Sequence, residues 1–321
     1  MESFWHGLER PFFVLAPMED VTDVAFRALI AKYSDPSIPR VMYTEFTSAD
    51  GLMRADEDGQ RKLRKKLEYA KEEHPIVAQL FTANPEYMEA SAKLCRELGF
   101  DGFDINMGCP AKEVERQGCG SALIRTSGLA RELIHAAKKG AGDMAVSVKT
   151  RIGYNEVELE RWLPELLAEE PDAVILHART RKEMSDVPAR WERVARAVEI
   201  RDSLNSKTLI VGNGDVQNLA DAREKIAATG ADGAMIGRGI FGNPWLFTNR
   251  GEPTREERIA ALIEHIELFQ KHLSGFVNEA VMKRHFKAYI TSWDGAKELR
   301  VRLMETEDLT DARNILVGTL R

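Results

Sequence analysis

Eight short β-rich runs recur along the chain, each followed by a helical stretch, and this alternation constrains the fold more than any other feature. The runs are Phe12–Leu15, Val41–Glu45, Ile76–Leu80, Gly102–Asn106, Ala145–Lys149, Ala173–His177, Thr208–Val211 and Gly233–Ile236. Their apolar residues are continuous rather than alternating, the pattern of parallel strands covered on both faces. The segments between them carry helix signals. Asn84-Pro85-Glu86 reads as a cap with proline at the first helical position, and Tyr87, Ser91, Leu94 and Leu98 follow at helical spacing until Gly99. Leu129–Ala137, Leu159–Ala168 and Asn218–Ala228 repeat the pattern. Eight βα units in about 250 residues predict an α/β fold, a (β/α)₈ TIM barrel. An open doubly wound sheet is the other way to arrange such units.

The alternation stops at Pro253. Residues 254–321 contain no convincing strand, and Ile259, Leu262, Ile263, Ile266 and Phe269 mark an amphipathic helix. Further helices are expected over Glu279–Ser292, Gly295–Met304 and Leu309–Leu320. The expected organisation is a barrel domain over 1–253 followed by a small C-terminal α-helical domain over 254–321.

Composition narrows the setting. The 45 basic and 51 acidic residues leave a net charge of −6, which argues against binding nucleic acid by bulk charge. Local basic runs remain at Arg61–Lys66, Arg179–Lys182 and Lys283–Lys287, each of which reads most simply as a solvated face. Apolar runs such as Phe12–Pro17 fall far short of a bilayer span, so no membrane segment is expected. Glu2 and Glu9 stand where a signal peptide would carry basic and then apolar residues. Three cysteines exclude a disulfide framework and point to a reducing, cytoplasmic setting.

In a barrel, chemistry collects at the carboxyl ends of the strands. Those ends read Ala16-Pro17-Met18, Glu45, Gln79, Asn106, Lys149, His177, Asn213 and Gly237-Arg238. So many polar residues at equivalent positions describe a polar-rimmed ligand site. Lys149 supplies positive charge for an anionic ring or a developing anion. Gln79 and Asn106 both donate and accept, which suits a uracil-like or flavin-like edge. Gly212-Asn213-Gly214-Asp215 and Gly237-Arg238-Gly239 would let backbone N–H groups approach a phosphate. Gly237, Gly239 and Gly242 also match G-x-G-x-x-G, but no βαβ unit ending in an acid follows, so a dinucleotide fold is rejected. Cys109, between Gly108 and Pro110 after the fourth strand, is a thiol on a loop at the barrel mouth, able to donate a proton or to attack as thiolate. Cys95 lies on an apolar helix face and reads as structural, as does Cys119. No Cys/His spacing supplies a metal site.

Together these segments resemble the tRNA-dihydrouridine synthase family. The matching pieces are 16–23 (APMEDVTD), 106–110 (NMGCP), 147–151 (SVKTR), 177–181 (HARTR), 212–215 (GNGD) and 236–239 (IGRG), in the family's order across the barrel. The tail, with Lys283-Arg284-His285-Phe286-Lys287, resembles the family's RNA-contacting domain more loosely. The resemblance implies FMN at the barrel mouth, held by Pro17, Met18, Glu19, Gln79, Lys149, His177, Asn213, Gly214, Asp215, Gly237 and Arg238. It implies NADPH, or NADH, as reductant, and hydride transfer to the 5,6 double bond of a tRNA uridine. Cys109 would protonate the adjacent carbon from the opposite face, and Asn106 would hold the uracil edge. Arg179, Arg181, Lys283, Arg284 and Lys287 are the implied tRNA contacts, with Arg61–Lys66 a weaker candidate. No obligate protein partner is implied, and a monomer is expected. The chain departs from the family at Glu19-Asp20, Ala178 and Ser121, where small residues, glycine and alanine respectively are commoner. An FMN barrel enzyme acting on a free pyrimidine, of the dihydroorotate dehydrogenase kind, is the alternative. It gives the helical tail no purpose.

Overall fold

The structure, a computed structural model, describes residues 3–320. Glu2 and the chain end at Arg321 lie outside the described residues. Among the described residues nine parallel strands form one sheet: β1 (Phe12–Leu15), β2 (Arg40–Tyr43), β3 (Thr47–Ser48), β4 (Ile76–Phe81), β5 (Gly102–Met107), β6 (Ala145–Arg151), β7 (Ala173–His177), β8 (Leu209–Asn213) and β9 (Gly233–Ile236). β1 pairs with both β2 and β9, and β2 pairs with β4, so the sheet closes on itself. The result is the expected eight-stranded barrel, with two-residue β3 continuing β2's line along β4. The open-sheet alternative is excluded by that closure.

The strand ends depart from expectation in instructive places. The second strand stops at Tyr43 instead of running to Glu45. The Thr44 hydroxyl takes the ladder position, accepting from the Gln79 N–H at 3.1 Å, and this frees Glu45 to turn toward the β1 loop. β8 begins one residue late because Thr208 Oγ1 donates to the Pro171 carbonyl at 2.7 Å. It runs on through Asn213, which is paired with Met235. β5 and β6 each continue two residues or fewer past the expected end, to Met107 and Arg151.

The helix over Pro85–Glu97 starts and stops as its sequence predicts. Asn84 Oδ1 accepts from Glu86 and Tyr87, and Gly99 turns out at φ +84°. Leu159–Leu167 and Leu219–Thr229 lie within a residue of their expected bounds, Ser127–Ala141 begins two residues before and ends four after the expected Leu129–Ala137, and Val24–Tyr33 and Trp191–Ser203 are further barrel helices. In the tail, Thr254 and Glu257 form a capping box for the helix Arg255–Leu273. The expected helix over 279–292 is shorter, a single tight turn followed by Met282–Tyr289. Ala296–Met304 and Leu309–Leu320 complete the tail.

The tail shares a core with the barrel. Helix Arg255–Leu273 packs on the barrel helix Val24–Tyr33, where Phe26 stacks on His265 with ring centres 4.8 Å apart and meets His285 edge-on at 5.0 Å. Gly242 turns at φ +67°, and a Cβ there would sit 2.3 Å from the Ala288 carbonyl oxygen. The third glycine of the misleading G-x-G-x-x-G is thus required by close docking of the tail, not by a dinucleotide. Among the described residues no helix is long and apolar enough to cross a membrane.

Candidate active site

The barrel interior changes character along its axis. At the amino-terminal end Trp5, Phe12, Val41, Ala145, Ala173 and Leu209 close the bottom as an apolar plug. Side chains alternate across a strand, so the inward set of β6 is Ala145, Ser147, Lys149 and Arg151, increasingly polar toward the mouth. Register places Asn106 beside Lys149, and Arg151 beside His177 beside Asn213.

A chain of hydrogen bonds climbs this interior. Asp104, fully buried, accepts from Ser147 Oγ at 2.6 Å and from Gln79 Nε2 at 2.7 Å. Gln79 Oε1 accepts from Asn106 Nδ2 at 3.0 Å. Asn106 Oδ1 then accepts the backbone N–H of Cys109 at 2.9 Å. Burial lifts the Asp104 carboxyl to about 6, while Ser147 and Gln79 hold it down. The strand-end amides are therefore spent mainly on building the loop that carries Cys109. Arg151 finishes that loop from the other side, donating to the Gly108 carbonyl at 2.8 Å. Burial pushes the Cys109 thiol up, and the Ala111 N–H, Arg151 and Lys149 pull it back without cancelling the rise. The group at the barrel mouth is consequently a thiol that keeps its proton at pH 7 rather than a standing thiolate.

Beside it opens a cavity of about 250 Å³, lined by Ala16, Pro17, Met18, Lys149, His177, Arg179, Asn213, Gly214, Asp215, Gly237 and Arg238, with Ser185 and Val216. Its electrostatics are positive. Burial and the neighbouring Arg151 lower Lys149 to about 8. Burial and the charges of Lys149, Arg151, Arg179 and Arg238 hold His177 well below its ordinary value, so its imidazole is neutral. Arg179 Nη1 lies 3.1 Å from His177 Nε2 and donates to it, which leaves the imidazole proton on Nδ1. Asp215, at φ +50°, joins the two arginines. It pairs with Arg179 and, at 2.6 Å, with Arg238 Nη2. Burial raises its carboxyl, but Arg179 and the Ala189 N–H overcome that and keep it ionised. One carboxylate, Asp215, against Lys149, Arg179 and Arg238 leaves the cavity short of negative charge, as an anion-binding site requires.

The two glycine loops serve this cavity. Gly214 has φ +123°, and a Cβ there would lie 2.7 Å from Ala189 Cβ. A Cβ on Gly239 would lie 2.5 Å from the Gln217 carbonyl oxygen, so this glycine lets the loops after β8 and β9 touch. Arg238 is left 66% exposed at the rim with a guanidinium free on one side.

Ten of the expected site residues thus meet at one cavity, including Arg179, which the sequence assigned to tRNA. Buried at 2% exposure, its guanidinium donates to His177, to Asp215 and to the Val187 carbonyl. Gln79 and Asn106 lie beneath the mouth in the chain just described. Glu19 is turned away and paired with Lys66. Glu19, Asp20 and Glu45 gather their carboxylates within 4.8 Å, answered by Lys66, Arg284 and the Asp20 N–H. Arg181 is paired with Glu115. Lys283 donates to the Met304 carbonyl at 2.8 Å, Arg284 reaches Asp20 at 3.4 Å, and Lys287 is exposed. The Arg61–Lys66 run lies on helix Glu57–Lys65, which buries no residue, and on its C-cap Lys66, beside an open groove of about 1050 Å³. That groove is larger than the barrel cavity but carries no converging catalytic groups. Sequence alone assigns no role to Asp104, Arg151 or Glu115. Period-two alternation with Lys149 would have placed Arg151 on the inner face, whereas Glu115 left no comparable signal.

Residues 14–320 match the family model described as dihydrouridine synthase. The chain is 40% identical over 318 residues to a probable tRNA-dihydrouridine synthase of Staphylococcus aureus strain Mu50, covering 98% of this chain and 95% of that one. It is equally 40% identical over 318 residues to probable tRNA-dihydrouridine synthase 2 of Bacillus subtilis strain 168, covering 98% and 96%. Among solved structures, histamine dehydrogenase from Rhizobium sp. 4-9 superposes with a TM-score of 0.54 at 14% identity, covering 81% of this chain. The chain spans about half of that protein, 49% of its length, and at this identity the likeness concerns the fold alone.

Proposed function

This chain belongs to the dihydrouridine synthase family, and from that premise we propose how its residues divide the work. The reaction is reduction of the 5,6 double bond of uridine in tRNA, and the enzyme is an oxidoreductase. FMN fits the cavity on chemical grounds. The excess of cations suits a phosphate and an electron-rich ring, and the Gly214 and Gly237 turns leave the cavity wall free of side chains there. Lys149, His177, Asn213, Asp215 and Arg238 would hold it, with Pro17 and Met18 against the ring. When bound, the flavin supplies hydride chemistry recharged by a reduced nicotinamide, NADPH or NADH.

The remaining work falls to the protein. Cys109 Sγ–H gives its proton to the carbon next to the one that receives hydride, so both sides of the double bond are satisfied. The rise of its thiol above the ordinary value keeps that proton in place until it is needed. Asn106 fixes the loop, and its one remaining amide hydrogen is what is left for a uracil carbonyl. Lys149 is mostly protonated at pH 7 and balances negative charge in the cavity. The base must leave the folded tRNA to reach this depth. Lys287, exposed on Met282–Tyr289, is the tail cation best placed for RNA phosphate, while Lys283 and Arg284 brace the tail. The same reading takes the enzyme as a cytoplasmic monomer, in keeping with three free cysteines.

The observation that carries the proposal is a neutral thiol fixed beside an electropositive cavity at the strand ends. The test incubates purified protein with NADPH and tRNA lacking dihydrouridine, then maps the product by mass spectrometry. A gain of two hydrogens at a defined uridine is expected. Oxidation of NADPH without that gain, and with turnover of a free pyrimidine, would replace the proposal with the free-base reading.

A further inference from the structure

Glu115 joins the loop after β5 to the loop after β7. It ends the short helix Lys112–Glu115 behind Cys109, and its side chain is only 10% exposed. From the loop after β7, Arg181 grips it in a fork: Nε lies 3.0 Å from each carboxylate oxygen, and Nη2 bonds Oε2. Arg181 is itself anchored. Its backbone N–H donates to the Gly153 carbonyl at 2.9 Å, and its guanidinium lies 5.3 Å from the centre of the Tyr154 ring.

On its other side Glu115 reaches the Cys109 loop through Ser121. Ser121 Oγ stands 3.0 Å from Glu115 Oε1 and 2.9 Å from the Cys109 carbonyl oxygen. The Ser121 N–H donates to that same carbonyl at 3.0 Å. One hydroxyl proton serves two acceptors, so the carboxylate decides how firmly Ser121 holds the Cys109 carbonyl. Asn106 holds the N–H of the same residue, so both backbone polar groups of Cys109 are held, one in each of its flanking peptide units.

We propose that Glu115 and Arg181 form a positioning pair for Cys109, clamping its loop to the loop after β7 so that the thiol meets the extruded uracil. The proposal rests on Cys109 as proton donor. It also gives Arg181 a task other than phosphate contact. The bidentate geometry favours the clamp, because a phosphate would have to break it first.

The test separates the two half-reactions. In Glu115→Gln, flavin content and its reduction by NADPH should match the wild type, since neither uses Cys109. Reoxidation of the reduced enzyme by saturating tRNA should slow about 10- to 100-fold, the scale of a misplaced reacting group. Arg181→Met should do the same, with the salt dependence of tRNA binding unchanged. The charge-swapped Glu115→Arg, Arg181→Glu enzyme should recover much of the rate, because an arginine at 115 can donate to Ser121 Oγ and leave its proton to Cys109. Should Glu115→Gln lose flavin, Arg181→Lys keeps the charge without the fork and takes its place. Wild-type reoxidation in these variants would overturn the clamp. So would a salt slope shallower by about one in Arg181→Met with its rate restored by excess tRNA, the mark of a lost phosphate contact. Cys109→Ala runs alongside. If it forms product at the wild-type rate, the reading of Cys109 fails; if it is inactive while Glu115→Gln is not, only the clamp fails.

Discussion

The side chain of Asn106 holds the backbone of Cys109: Oδ1 accepts the Cys109 N–H at 2.9 Å and the Gly108 N–H at 3.2 Å. Behind it, Gln79 and Asp104 fix the amide orientation. Asn106→Ala strips two N–H groups of their acceptor, at about 1–3 kcal/mol. Thermal unfolding should shift down by a few degrees, and tRNA-dependent reoxidation should slow at least about tenfold with flavin retained. Unchanged reoxidation would mean that the bond does not orient the thiol.

Lys149 gives a pH limb. Its value, lowered to about 8 by burial and Arg151, means the ammonium is present below pH 8 and is lost as pH rises through it. Steps that need the charge should fall above pH 8. Lys149→Met should be slow at pH 7 and should lack that descending limb. Rate profiles of wild type and variant between pH 6 and 9.5 check both points.

The tail joint gives an acid limb in stability. His265 and His285 are fully buried, and none of their ring nitrogens has a hydrogen-bond partner among the described residues. Burial lowers His285 from 6.5 to about 3, and lowers His265 well below its ordinary value. The unfolded chain therefore binds more protons than the folded one between about pH 6.5 and 3. Stability is full above pH 6.5 and is lost as pH falls, by up to about 1.4 kcal/mol per pH unit for each histidine. His285→Phe should flatten the dependence seen by urea unfolding at pH 7 and pH 5. An equal slope in the variant would remove His285 from the account.

Arg27 and Glu73 form an ion pair with both side chains at 0% exposure, 2.7 Å apart. Arg27 also donates to the Thr22 carbonyl at 2.7 Å, which ties the β1 loop to its helix. Arg27→Met leaves a buried carboxylate unpaired and should cost about 3–5 kcal/mol. Arg27→Met with Glu73→Gln should recover part of that loss in the same denaturation measurement.

The barrel was legible because its strands are buried on both faces and announce themselves as apolar runs. Strand ends were less so, since side-chain bonds such as Thr44 to Gln79 decide them. Cavity-lining residues with backbone-driven positions, such as Lys149, Asn213 and Gly214, are legible from where their strands end. The charge partners were not. Sequence assigns Arg179 and Arg181 to RNA because they are basic, yet each is met by a carboxylate far away in the chain, Asp215 and Glu115. Only the folded chain brings those carboxylates near. The same holds for Gly242, whose φ and docking against Ala288 depend on the tail.

The central claim is that Cys109 supplies the proton. A single-turnover experiment tests it directly: flavin is reduced first, tRNA is then added without oxygen, and dihydrouridine is counted over time. Cys109→Ala should bind flavin and be reduced by NADPH like the wild type, but form dihydrouridine at least about 100-fold more slowly, as expected for loss of a general acid. Product formation by Cys109→Ala at the wild-type rate would contradict the account.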